Sequence, residues 1–215
     1  LVVDDLGPVP ATTLTAGGLW FRCYDPKWGY DEANPGYGDQ RFTPFHDPVT
    51  GRRVPSIHVA ATREAALLET VFRDMADAGG FVYLTLLRER ALAHVALPRD
   101  ARVADLRDDA LAGLGVPRSA VVSSSPRHYP CTRRLAVAIH RDGAEGAAVD
   151  GIVWHSRQAE LAGGPPVEVA VLFADRFGDQ RGSWPRVGPG VASLVEGPGR
   201  VVVDTIATHL GATVV

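Results

Sequence analysis

Four polar residues of this sequence, Arg22, Arg41, Glu69 and Ser156, stand in surroundings that ask for a chemical explanation. Glu69 lies in a run whose apolar residues Leu68, Val71, Phe72 and Met75 recur at the spacing of a core-facing helical stripe. At ~100° per residue it falls beside that stripe, not opposite it. Ala65, one turn earlier, leaves room above the side chain. A carboxylate at such a margin is partly desolvated, which strengthens its interaction with a cationic transition state. Helix geometry alone favours a plainer account, an ion pair with Arg73 at i+4. Arg22 sits between Phe21 and Cys23, and alternation turns it to the same side as Trp20 and Tyr24. An arginine so placed pairs with a carboxylate or holds an anion, and its planar fork suits phosphate. Arg41, ahead of Phe42 in a long loop, fits the same task or an ordinary surface charge. Ser156 ends the apolar run Gly151–His155, where a sheet can offer side chains to a ligand, though serine is also an ordinary strand terminator.

Other chemistries lack their signatures. There is no G-x-S-x-G elbow, His-Glu-x-x-His pair, P-loop or G-x-G-x-x-G turn. The seven histidines (His46, His58, His94, His128, His140, His155 and His209) include no i, i+4 pair. With two cysteines, Cys23 and Cys131, in no Cys-x-x-Cys spacing, neither a metal nor a disulfide framework is expected. Ser123–Ser125 read as a solvated loop.

The elements that must position these residues begin after a lead-in, residues 1–18, rich in Pro, Thr and Gly. Leu19–Tyr24 reads as a strand. Residues 25–55 are an irregular stretch, long for a compact domain and of the kind that carries function. Ser56–Ala61 reads as a buried strand, and Thr62 caps a helix expected from Arg63 to about Ala78, closed by Gly79-Gly80. Phe81–Leu87 and Ala91–Leu97 read as two strands, a hairpin about Arg88-Glu89-Arg90. A strand at Val103–Leu106, a short helix ending near Gly113 or Gly115, a helix at Thr132–His140, strands at Gly151–His155 and Val167–Ala174, and a helix at Val201–Leu210 complete the pattern. Strands and helices without regular alternation argue for an α+β fold, a single domain around a mixed or antiparallel sheet. Residues 181–215 are expected to be an extension packed on that same domain.

The 215 residues suffice for one well-buried core, and 46% hydrophobic with 22% charged residues is ordinary for a globular protein. A net charge of -3 gives no general attraction to nucleic acid or membrane. No apolar run is long enough to cross a bilayer, and no signal peptide is evident, so a cytoplasmic setting is expected.

Taken in order, these segments resemble the RES-domain family, named for its Arg, Glu and Ser. Leu19–Arg22 is similar to the opening strand with its arginine, and Gln40-Arg41-Phe42 to the Gly-Arg-Phe-Asn element. Ser56–Ala61 followed by Thr62–Glu69 resembles the strand and helix that carry the glutamate. Val103–Leu106, Tyr129–Ala138, Asp150–Arg157 and Val169–Phe173 follow in family order, so the resemblance covers roughly residues 19–177 within an expected domain of 19–180.

The resemblance implies a fold like that of ADP-ribosyltransferase toxins and a role as the toxin of a two-gene toxin–antitoxin pair. Such proteins break the nicotinamide–ribose bond of NAD, passing ADP-ribose to inorganic phosphate or to water. NAD would then be substrate, with phosphate as co-substrate in the first case and no cofactor. It further implies Glu69, Arg22 and Ser156 as catalytic residues and Arg41, His58 and Tyr24 as substrate-binding ones. The usual partner is a helix-turn-helix antitoxin covering the active site; a homodimer is compatible with this, and direct nucleic-acid binding is not expected. The sequence departs from the family at His58, where a tyrosine is common, and at Gln40 and Thr43. ADP-ribose transfer to a macromolecule, or non-catalytic binding of a nucleotide or partner, are the alternatives.

Overall fold

Short runs rich in valine, alanine and leucine form the strands of the computed structural model, which describes residues 8–75, 79–123, 126–178 and 182–215. In chain order the strands are β1 (Ala11–Leu14), β2 (Leu19–Tyr24), β3 (Ser56–Ala60), β4 (Phe81–Val82), β5 (Ala91–Ala96), β6 (Ala101–Asp105), β7 (Gly151–His155), β8 (Glu168–Phe173) and β9 (Thr213–Val214). The helices are α1 (Arg63–Leu68), α2 (Leu84–Arg88), α3 (Asp108–Gly113), α4 (Tyr129–Asp142), α5 (Arg157–Leu161), α6 (Ala174–Phe177) and α7 (Gly197–Leu210).

Seven strands make one sheet in the order β1-β6-β7-β8-β3-β2-β5, and β4 with β9 makes a small parallel pair. Within the large sheet β6–β7 is parallel and every other pairing is antiparallel. The result is a single α+β domain with a mixed, mostly antiparallel sheet. Alternation divides the sheet's side chains between two cores. Ala60, Ile152, Trp154, Val169, Val171 and Phe173 join apolar residues of α1, α4 and α7. Trp20, Ile57, Val59, Val95, Val153 and Leu172 face the other way, onto Phe177 and Trp184.

Two expected elements come out differently. The helix beginning at Arg63 ends at Leu68 instead of running on to about Ala78, and residues 76–78 lie outside the described residues. Thr70 Oγ1 donates to the carbonyl of Ala66 at 2.7 Å, drawing on an acceptor of the helical ladder. The Phe72 amide bonds back to Leu67, five residues earlier, at 3.1 Å. Val71 and Phe72 are still buried, so the turn keeps the apolar spacing without keeping the helix. The expected strand Phe81–Leu87 is β4 followed by α2, and β5 pairs with β2 rather than in a hairpin. Leucine-rich Leu84–Arg88 has no β-branched side chain except Thr85, and leucine is a good helix former.

The C-terminal segment runs along β5. Ala96 N–H donates to Pro185, Val187 to His94, and Val191 and Leu92 exchange both bonds. This covers a sheet edge that would otherwise present unpaired amides. Further on, α7 packs against α1. No helix among the described residues is long and apolar enough to cross a membrane.

Candidate active site

The seam between β2 and β3 registers at one pair, Phe21 with Ala60. Beside this seam lies a small open cleft of about 50 Å³. Its walls include Phe21 and Cys23 from β2, His58 from β3, Trp154 from β7, and Glu69, Thr70 and Arg73 from the end of α1 and the turn after it.

Glu69 is the residue on which α1 stops, its backbone N–H still bonded to Ala65 at 2.9 Å. Ending the helix there projects the half-buried carboxylate from the last turn into the cleft wall. Ser156 meets it from the start of α5, which packs on α1: its Oγ donates to Glu69 Oε1 at 2.6 Å, across 87 residues of sequence. The same Oγ accepts from the Ala159 amide at 3.1 Å, capping α5, and Ser156 is fully buried. With its proton given to the carboxylate and a lone pair taken by the helix, the hydroxyl is fixed in one orientation. The ion pair between Glu69 and Arg73 allowed by helical spacing does not form. Once the helix has ended, Arg73 is no longer one turn above Glu69, and it forks onto Asp74 instead, with both contacts at 3.1 Å.

Arg41 is buried beside this pair. It donates to the carbonyl of Val121 at 2.8 Å, and its guanidinium lies over the Tyr129 ring, 5.2 Å from the centroid. Burial pulls its pKa below the ordinary arginine value, while Tyr129 and Glu69 support the charge and Arg157 and Arg73 oppose it. Arg41, Arg73 and Arg157 thus bear on the same region as Glu69. The backbone of Arg41 is held by Thr132, whose hydroxyl donates to the Arg41 carbonyl. Arg133 fastens the preceding loop through Asp39.

His58 also lines the cleft. Burial pushes its pKa down to about 3, assisted by the charges of Arg22 and Arg73, so the ring is neutral at physiological pH. Its Nε2 lies 3.0 Å from Thr43 Oγ1, which in turn donates to Gln40 Oε1 at 3.1 Å. The Thr43 proton being engaged with Gln40, the histidine Nε2–H donates to Thr43. Burial pushes the Cys23 thiol up to about 11, against the bond from Thr70, so the cleft contains no ready thiolate.

Arg22 and Tyr24 stand apart from the cleft lining. Phe21 and Cys23 face the cleft and alternation turns Arg22 to the other side of β2. There the buried guanidinium donates to the carbonyls of Tyr30 at 2.6 Å and Glu32 at 2.5 Å. It braces the start of the long loop. Tyr24 packs against the core of that same face. The structure therefore lines one cleft with Glu69 and His58, brings Ser156 to Glu69 by a hydrogen bond and Arg41 within reach of its charge, and turns Arg22 and Tyr24 to the other face of β2. Arg73, Tyr129, Thr132 and Thr43 were not singled out as site residues from sequence. Tyr129 and Thr132 contact Arg41 from a segment far along the chain, which no local spacing announces. Among the described residues no group of His, Cys, Asp and Glu could hold a metal ion.

The model of one family, the RES domain, matches residues 19–183. No curated protein matches the chain. Among solved structures, a chain of the M. tuberculosis MbcT–MbcA toxin–antitoxin complex is similar at a TM-score of 0.53 and 15% identity. The likeness covers 95% of this chain and 94% of that one.

Proposed function

The chain belongs to the RES-domain family, and from that premise we propose that it is an NAD-consuming toxin that cleaves the bond between nicotinamide and ribose. The observation that carries this reading is the Glu69–Ser156 contact at 2.6 Å, set between a cleft with a neutral His58 and a region bearing Arg41, Arg73 and Arg157. A dinucleotide has matching parts: an uncharged carboxamide ring at one end, a ribose, then a pyrophosphate.

In this reading nicotinamide packs against His58, and Arg41 holds the pyrophosphate through charge-assisted hydrogen bonds. Glu69, with Oε1 held by Ser156, directs Oε2 to the ribose. As the C1′–N bond breaks, its electron pair leaves with the nicotinamide nitrogen and discharges the pyridinium. Positive charge develops on the ribosyl oxocarbenium, where an oriented carboxylate in a partly desolvated site stabilises it most. An oxygen of water or inorganic phosphate then adds to C1′, and the proton of a water acceptor is released. Arg22 acts indirectly, by bracing the loop behind β2.

The partner we infer is a helix-turn-helix antitoxin that covers the cleft and keeps NAD out; a cytoplasmic setting and a homodimer belong to the same reading. The similar M. tuberculosis chain comes from a toxin–antitoxin complex, which supports it. Purified protein incubated with NAD, with and without phosphate, is expected to release nicotinamide together with an ADP-ribose phosphate ester or free ADP-ribose. No release under either condition from folded protein would sink the enzymatic reading. ADP-ribose found on a macromolecule would replace it with transfer, and tight NAD binding without release would replace it with binding alone.

A further inference from the structure

Tyr129 opens α4 with its ring almost fully buried, at 4% exposure, beneath the Arg41 guanidinium. Its carbonyl lies 3.1 Å from Thr132 Oγ1. Its hydroxyl has no hydrogen-bond partner among the described residues, yet it is not one of the polar atoms sealed from solvent. Tyr129 thus keeps a donor open to solvent on an otherwise buried ring, where phenylalanine would fill the same volume and offer none. Burial pushes the phenol pKa up against the pull of Arg41 and Arg73, which keeps the hydroxyl protonated and able to donate. Glu69 also bears on it, but Glu69 Oε1 is already engaged by Ser156. A protonated donor beneath the Arg41 guanidinium, with the charge of Arg73 also bearing on it, matches an anionic oxygen.

We propose that the Tyr129 hydroxyl, with Arg41 and Arg73, forms an oxyanion subsite that binds a phosphoryl group of the dinucleotide, an assignment that rests on the NAD reading above.

Calorimetric titration of ADP-ribose and, separately, of nicotinamide into wild-type protein, Tyr129→Phe and Arg73→Gln tests it. Tyr129→Phe is expected to weaken ADP-ribose about tenfold, leaving nicotinamide affinity and Tm unchanged, because the hydroxyl holds no part of the protein. Arg73→Gln, on the cleft wall, is expected to weaken ADP-ribose in the same direction. Unaltered ADP-ribose affinity in Tyr129→Phe would overturn the assignment, as would an equal loss for nicotinamide or a fall in Tm with affinity intact. Wild-type protein that releases nicotinamide from NAD but does not bind ADP-ribose would overturn this subsite alone. Wild-type protein that does neither would overturn the NAD reading and the subsite with it.

Discussion

Replacing Ser156 by alanine removes one hydroxyl that serves two neighbours, and the two losses separate by assay. The first is structural: Oγ caps α5 by accepting from the Ala159 amide at 3.1 Å. Loss of such a cap destabilises by about 1 kcal/mol. Removing the donor from a half-buried carboxylate adds to this, for a total of about 1–3 kcal/mol. In a chain of this length each kcal/mol lowers Tm by about 2–4 °C, so thermal unfolding should move down by several degrees. The second loss is chemical. Glu69 Oε1 gives up a bond of 2.6 Å from a buried, oriented donor. Hydrogen bonds to charged groups contribute about 1.5–3 kcal/mol. If that orientation is felt in the transition state, kcat/KM for NAD falls by roughly 10- to 100-fold. The assay is nicotinamide release for wild type, Ser156→Ala, Glu69→Gln and the double variant, with thermal melts of all four. Because the serine acts on chemistry through Glu69, its catalytic effect should shrink to about twofold in the Glu69→Gln background, while its Tm effect persists. A Ser156→Ala variant with kcat/KM near wild type, or one that loses as much again in the Glu69→Gln background, would refute the coupling.

Three further outcomes follow from the same contacts. His58 has a folded pKa of about 3 against 6.5 for the free side chain. The unfolded chain therefore binds more protons between those values, and stability is full above pH 6.5 and declines as pH falls toward 3. By linkage this comes to about 2 kcal/mol at pH 5, a slope that His58→Phe should remove from denaturant melts. Thr132→Val deletes the hydroxyl that donates to the Arg41 carbonyl. It should destabilise by about 1–3 kcal/mol and raise KM for NAD; an unchanged KM would mean that Arg41 does not depend on α4. A Cβ at Gly151 would overlap the Val171 carbonyl across the β7–β8 ladder, so Gly151→Ala should lower Tm by several degrees, on the order of 1–3 kcal/mol for forced overpacking.

Much of this arrangement was legible in the sequence where local pattern and order carried the signal. The apolar runs at Gly151–His155 and Glu168–Phe173 are β7 and β8, and the Thr62 cap starts α1 by accepting from Ala65 N–H at 3.1 Å. Glu69, Arg41, His58 and Ser156 come together as a set because the family pattern, rather than any single spacing, tied them. What failed to show were consequences of competition and of the third dimension. Thr70 diverts a helix carbonyl, so α1 ends at Leu68 although the apolar spacing continues. Arg22 alternates with Phe21 and Cys23, and which face of β2 met the cleft depended on the neighbouring strands. Tyr129 and Thr132 reach Arg41 from far along the chain, across 91 residues for the Thr132 bond. Such contacts depend on how α4 docks beneath the loop, which periodicity within the helix does not specify.

Nicotinamide release from NAD by wild-type protein and by Glu69→Gln, at matched Tm, tests the central claim most directly. The substitution keeps the side-chain volume and an oxygen for Ser156 to meet while removing the charge. Release by the wild type, with Glu69→Gln slower by at least about a hundredfold, is the predicted result. Equal release by both proteins would contradict the role of the Glu69 charge, and no release by either would contradict the activity itself.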